Sequence, residues 1–162
     1  MIEIITGNLL DAKEKYICHQ CNCVSHMAAG VAKAIFDEFT YSDIYSQRIS
    51  YGVPGTIIVK GNGKNERFVV NMLSQYYPGG PRPINAGNIE DDERTRQKLF
   101  NKCLMALAKI TDLESIAFPH RIGCGLAGGD WNWYKGTLDN FANYVYKMQN
   151  AKVVIYQREE DK

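Results

Sequence analysis

The stretch FPHRIGCGLAGGDWNW, residues 118–133, decides how the chain is read. It runs from an apolar, strand-like segment into an aromatic, helix-like one, and between them it places Gly123, Gly125, Gly128 and Gly129. Glycine loses more backbone entropy on folding than any other residue. A cluster is therefore favoured where φ must be positive or where another group must come close to the main chain. A glycine-bearing turn that opens a helix presents unpaired N–H groups at the positive end of the helix dipole, the setting that receives phosphate.

A second junction of this kind lies upstream. In CNCVSHMAAGVAKAI, residues 21–35, a strand passes through a small-residue loop into a helix. Working outward from the two junctions, hydrophobic periodicity and turn residues predict strands at IEIITG (2–7), KYICHQCN (15–22), residues 56–60, residues 68–73, SIAFP (115–119) and KVVIYQ (152–157). Helices are expected over 29–39, over 42–49 with Ser42 as N-cap, over 93–112 with a stripe of Leu99, Phe100, Cys103, Leu104, Leu107 and Ile110, and over 131–149. Strands alternating with helices imply an α/β protein with helices on both faces of a mixed sheet. Residues 75–93, QYYPGGPRPINAGNIEDDE, are too rich in Gly, Pro and Asn for regular structure. The length of this segment suits a functional loop or lid over residues 75–88. Its acidic end suits the N-terminus of the next helix.

Composition narrows the function classes. With 162 residues the chain reads as one domain with a core of its own, 45% hydrophobic and 23% charged. A formal net charge of +1 gives no bulk pull toward nucleic acid or membrane, so a partner must be sought at a local site. The N-terminal stretch has neither the charged start nor the apolar core of a secretory signal, and no run reaches membrane-spanning length, so a cytoplasmic protein is expected. Cys18, Cys21, Cys23, Cys103 and Cys124 are odd in number and suit reduced thiols. Cys18 and Cys21 have C-x-x-C spacing beside His19, but no second ligand pair follows, so no metal is expected.

In open α/β sheets, ligands bind beyond the carboxyl ends of strands, and both junctions occupy such ends. Two N–H-rich turns facing each other would hold two phosphates, which points to a diphosphate such as a nucleotide sugar. Neither turn supplies the Lys and hydroxyl of a Walker loop. GCGLAG, residues 123–128, formally fits G-x-G-x-x-G but follows a late strand rather than the first, against a dinucleotide-binding Rossmann unit.

Taken together, GNLL after the first strand, HQCNCVSHMAAGVAKAI after the second and PHRIGCGLAGGDW before the last helix resemble the macro domain, an ADP-ribose-binding family. The order and spacing of all three blocks match over nearly the whole chain. The HQCNC form is similar to the branch that contains the yeast-type ADP-ribose 1''-phosphate phosphatase, and GCGLAGGDW resembles small bacterial and phage macro domains. The resemblance implies a three-layer α/β/α fold with a mixed central sheet, one domain over residues 1–157 and a charged tail over 158–162. It implies no cofactor, and a partner that is ADP-ribose or a derivative of it.

Carried over by position, the resemblance puts Asn8 at the adenine, where many members have Asp, and Asn22 at the distal ribose. Ala28, Ala29 and Gly30 would pass beside the diphosphate. Gly123, Cys124, Gly125, Leu126 and Ala127 would form the second phosphate loop, and Tyr156 would reach the adenine. His19 is the candidate acid or base of the phosphatase branch, set against a histidine satisfied inside a strand. Asp130 is the candidate carboxylate, set against an N-cap of the last helix. The expected activity is removal of the 1''-phosphate from ADP-ribose 1''-phosphate. The alternatives are an ADP-ribosyl glycohydrolase and a binding module without turnover. The glycohydrolase branch uses a Lys and an Asp directly after GCGL. Here that position is Ala127, and the strand ending NMLSQ offers no Lys.

Overall fold

The computed structural model describes residues 2–83 and 88–162. Its strands are β1 (Glu3–Thr6), β2 (Tyr16–Cys21), β3 (Ile57–Lys60), β4 (Phe68–Leu73), β5 (Ser115–Pro119) and β6 (Lys152–Gln157). Its α-helices are α1 (Gly30–Glu38), α2 (Glu93–Ala108) and α3 (Trp131–Gln149). The strands form one sheet in the order β1-β6-β5-β2-β4-β3. Every neighbouring pair is parallel except β3 with β4, so the sheet is mixed as expected.

Side-chain alternation splits the core into two layers. Tyr16 and Cys18 of β2, Val70 and Met72 of β4, Ile116 and Phe118 of β5 and Val153 and Ile155 of β6 face α2 and α3, where they meet Phe100, Cys103, Leu107, Leu138 and Val145. The residues between them, Ile17, Val69, Ala117 and Val154, face α1 and pack with Ile35 and Phe36. Because central parallel strands are covered on both faces, they read as near-continuous apolar runs. The result is a three-layer α/β/α arrangement with one helix on one face and two on the other.

Helix α3 is capped at both ends: the Asp130 carboxylate accepts from Asn132 N, and Asn150 closes the C-terminus in the left-handed region at φ 55°. Helix α2 ends at Ala108, before the expected residue 112, and Asp112 takes φ 56° in the turn that follows. The helix expected over 42–49 is absent. The hydroxyl of Ser42 donates to Phe39 O at the end of a short 3-10 turn, Thr40–Ser42, so Ser42 terminates a turn and caps no helix. One residue on, the Asp43 carboxylate accepts from Tyr45 N and Ser46 N. Local side-chain bonds of this kind satisfy the backbone donors that a helix would use. All five cysteines are buried, with no disulfide between them. No helix among the described residues is long and apolar enough to cross a membrane. Residues 158–162 are exposed and carry the short 3-10 turn Glu159–Asp161.

Candidate functional site

Five parallel strands send their carboxyl ends to one edge of the sheet. The segments that leave this edge include those around Asn8, residues 22–29 after β2, residues from 74 to 83 after β4 and residues 120–130 after β5. Strands β2 and β5 are neighbours, but the chain leaves β2 for α1 on one face and leaves β5 for α3 on the other. Where adjacent connections diverge in this way a crevice opens between the strand ends.

Asn22 shapes the first wall. Its Oδ1 accepts from Val24 N at 3.0 Å and Ser25 N at 2.8 Å, its N–H donates to the Tyr45 hydroxyl at 2.8 Å, and its carbonyl accepts from Arg48. The residue is buried, and its Oδ1 and main chain hold the turn. The loop then passes through Ala28, half-buried, and Ala29, exposed, to Gly30 at φ +60°. Ala29 occupies the N-cap of α1 and has no side chain to cap with, so no side chain at that position competes for the first-turn N–H groups.

The glycines of the second wall have separate roles. A methyl group on Gly123 would lie 2.7 Å from the Tyr134 ring, and one on Gly129 would lie 2.5 Å from Gly123 O. These two are required by packing. Gly125 has no positive φ, and a methyl there would meet nothing within 4 Å. Neither backbone strain nor crowding asks for glycine at 125, and the space beside it is open. The two walls approach each other closely: a methyl on Gly30 would lie 3.3 Å from Cδ1 of Leu126. Cys124 is buried and bonds Ile122 O, Leu126 is exposed, and Ala127 is half-buried.

Beneath this wall lies a polar layer that periodicity alone did not reveal. Gln20 donates to Gln75 at 2.6 Å, and Gln75 donates to Tyr77 O at 2.7 Å. Asp91 is buried and accepts from Tyr76 N and Tyr77 N, each at 2.8 Å. It pairs with the buried Arg96 at 2.7 Å. Of the acidic run, Asp92 stands at the N-cap of α2 and Glu93 in its first turn, while Asp91 turns inward. Arg96 sits three and four residues before Leu99 and Phe100 and so continues the apolar stripe. A charge at a core position was the available signal.

The structure does not bring His19 to the crevice. It is fully buried on the α1 face of β2, edge-on to Phe36 at 5.3 Å, with Nε2 2.6 Å from Asn71 Oδ1. Asn71 donates its own amide to Ser42 O and Ile58 O, so its oxygen faces the ring and His19 Nε2–H must be the donor. Burial holds the imidazole down at about 4, against a hydrogen bond to Asn71 that favours the charged form. Asp130, by contrast, is exposed directly after the second wall. Asn8 caps a 3-10 turn, Leu9–Asp11, with Oδ1 accepting from Leu10 N at 2.9 Å, which leaves its amide as the donor it can offer a ligand. Tyr156, at the end of β6, packs beside Gly7 and donates its hydroxyl to Glu14 at 2.7 Å. Trp133 and Tyr134 pack with Phe100 rather than forming an open stacking surface. Among the described residues no group of three or more His, Cys, Asp or Glu is arranged to hold a metal ion.

No protein-family model and no curated protein matches the sequence. Solved structures do match the fold. The macrodomain of Mycobacterium tuberculosis DarG superposes with a TM-score of 0.73 at 20% identity, covering 96% of this chain and 97% of that one. The macrodomain of Thermus aquaticus DarG gives 0.69 at 22% identity, over 97% and 98% of the two chains. A Trypanosoma brucei macrodomain in complex with ADP-ribose gives 0.68 at 15% identity, over 99% and 65%. The chain has the macrodomain fold.

Proposed function

We propose that this protein recognises ADP-ribose or a derivative of it in the crevice between the ends of β2 and β5. The observation that carries the reading is that the loops bearing Gly30 and Leu126 come together at the strand ends, with Gly125 beside open space, a setting in which N–H-bearing turns receive phosphate. Bound ADP-ribose in a solved macrodomain of the same fold supports it. In this reading the first-turn amides of α1 and the amides of residues 125–127 hold the diphosphate, while the Cys124 amide donates to Arg121 O within the turn. Asn8 and Tyr156 stand at the adenosine end, and Asn22 shapes the distal-ribose end. Calorimetry with free ADP-ribose should give a Kd of micromolar order, about 8 kcal/mol. Absence of heat up to millimolar ligand would remove the reading.

A second reading, removal of the 1''-phosphate from ADP-ribose 1''-phosphate, is favoured by one observation, the exposed carboxylate of Asp130 beside the second wall. Asp130 would take a proton from a water whose oxygen bonds to phosphorus as the bond from phosphorus to the 1''-oxygen breaks, and the leaving oxygen would take its proton from solvent. His19, sealed under α1, is given a structural role here. The glycohydrolase reading has less support, because β4 runs into Ser74 and Gln75 rather than a lysine. Incubation with ADP-ribose 1''-phosphate and with mono-ADP-ribosylated protein, scoring phosphate and ADP-ribose release separately, divides the three. Phosphate release supports the phosphatase, ADP-ribose release the glycohydrolase, and neither the binding module.

A further inference from the structure

The segment after β4 and the wall after β5 come from distant parts of the sequence, yet one side chain is bonded to both. Arg96, 2% exposed, donates from Nη1 to Gly79 O at 2.8 Å and Ala127 O at 3.3 Å, and from Nη2 to Tyr77 O at 3.0 Å and Gly80 O at 3.1 Å. Its charge is met by Asp91 Oδ2, and the Asp91 carboxylate takes the N–H groups of Tyr76 and Tyr77. The two segments also run close together, since a methyl on Gly128 would lie 3.7 Å from Pro81 Cδ and 3.9 Å from Gly80 Cα. Residues 76–80 are thus fixed through both their donors and their acceptors. Residues 84–87 of the expected lid lie outside the described residues.

We propose that Arg96 is a positioning residue for the ligand crevice: through its planar fork it locks residues 77–80 to the phosphate wall at Ala127, so that the wall is set before ligand arrives. The inference rests on the ADP-ribose reading for its binding consequence, but the lock itself does not. A guanidinium suits the task because it presents N–H groups in one fixed plane to several carbonyls at once, which an ammonium does not. Ordering a loop in advance removes a cost that ligand binding would otherwise carry.

Two variants test this. Arg96→Lys keeps the charge opposite Asp91 and loses the fork. The double variant Asp91→Leu with Arg96→Met removes both buried charges together and so avoids leaving one unpaired. Amide hydrogen exchange without ligand should speed up in both variants across residues 76–80 and 125–128 while β2, β4 and β5 stay protected. ADP-ribose affinity should fall about tenfold or more. Normal exchange at both segments in either folded variant would overturn the lock. Faster exchange with affinity within about twofold of wild type would overturn the positioning role. If wild-type protein binds no ADP-ribose, the ligand reading fails, and the exchange measurement still decides whether Arg96 joins the two segments.

Discussion

Substitutions at Gly125 and His19 test the proposed site and the fold separately. Gly125→Glu places a carboxylate where the diphosphate is expected, in space that nothing else occupies. Stability should stay within about 0.5 kcal/mol of wild type while ADP-ribose binding is lost, as read by urea unfolding and calorimetry on the same sample. Gly129→Ala should do the opposite, costing about 1–3 kcal/mol of stability because its methyl would press on Gly123 O. Retained binding in Gly125→Glu would place the ligand elsewhere. His19 carries a pH prediction. Its folded value of about 4 lies below the unfolded value near 6.5, so the unfolded chain takes up the proton first as pH falls. The contribution is therefore complete above pH 6.5 and is lost on descent toward 4. Between pH 7 and 4.5 wild type should lose about 2–3 kcal/mol that His19→Gln does not lose. Parallel pH profiles for the two proteins would show that the ring is not held neutral.

At the scale of the element, Asp130 holds two possible jobs that substitution can divide. As N-cap of α3 it accepts from Asn132 N at 3.0 Å. Asp130→Ala should cost about 1 kcal/mol of stability, whereas Asp130→Asn, an equally good cap, should cost little. If the carboxylate also serves as a base, Asp130→Asn should still lower phosphate release from ADP-ribose 1''-phosphate by about a hundredfold. Full turnover by a stable Asp130→Asn protein would leave it a cap and nothing more. The segment over 42–49 makes the complementary point: its apolar residues looked helical, but Tyr45 is instead drawn inward, where its hydroxyl receives Asn22 N and its ring meets Phe36 at 5.2 Å. A helical pattern there was overridden by the wall it supports.

For the whole molecule, a ligand that binds only the folded state must stabilise all of it. ADP-ribose at about a hundred times its Kd should add about 2.7 kcal/mol, which raises Tm by about 5–10 °C in a domain of this size. Scanning calorimetry that shows no movement of Tm at millimolar ADP-ribose would mean that the macrodomain fold serves another ligand here. Chelator treatment should leave the shift in place, as a site built from backbone N–H groups and amides predicts.

Apart from the helix expected over 42–49, the order of strands and helices, the two glycine-bearing junctions and their place at strand ends followed from sequence, because period, glycine and turn chemistry are local properties that survive without knowledge of the fold. What only the tertiary structure decided was which local features share a space. His19 was a candidate through the resemblance of HQCNC to the phosphatase branch, but strand alternation turned it under α1 against Asn71, a partner 52 residues away. Arg96 stands at a core position of α2, but only the fold carries residues 77–80 and Ala127 to it. Buried polar partners must be met by whatever the fold brings near. Their identity is therefore a property of the packed molecule rather than of any stretch of its sequence.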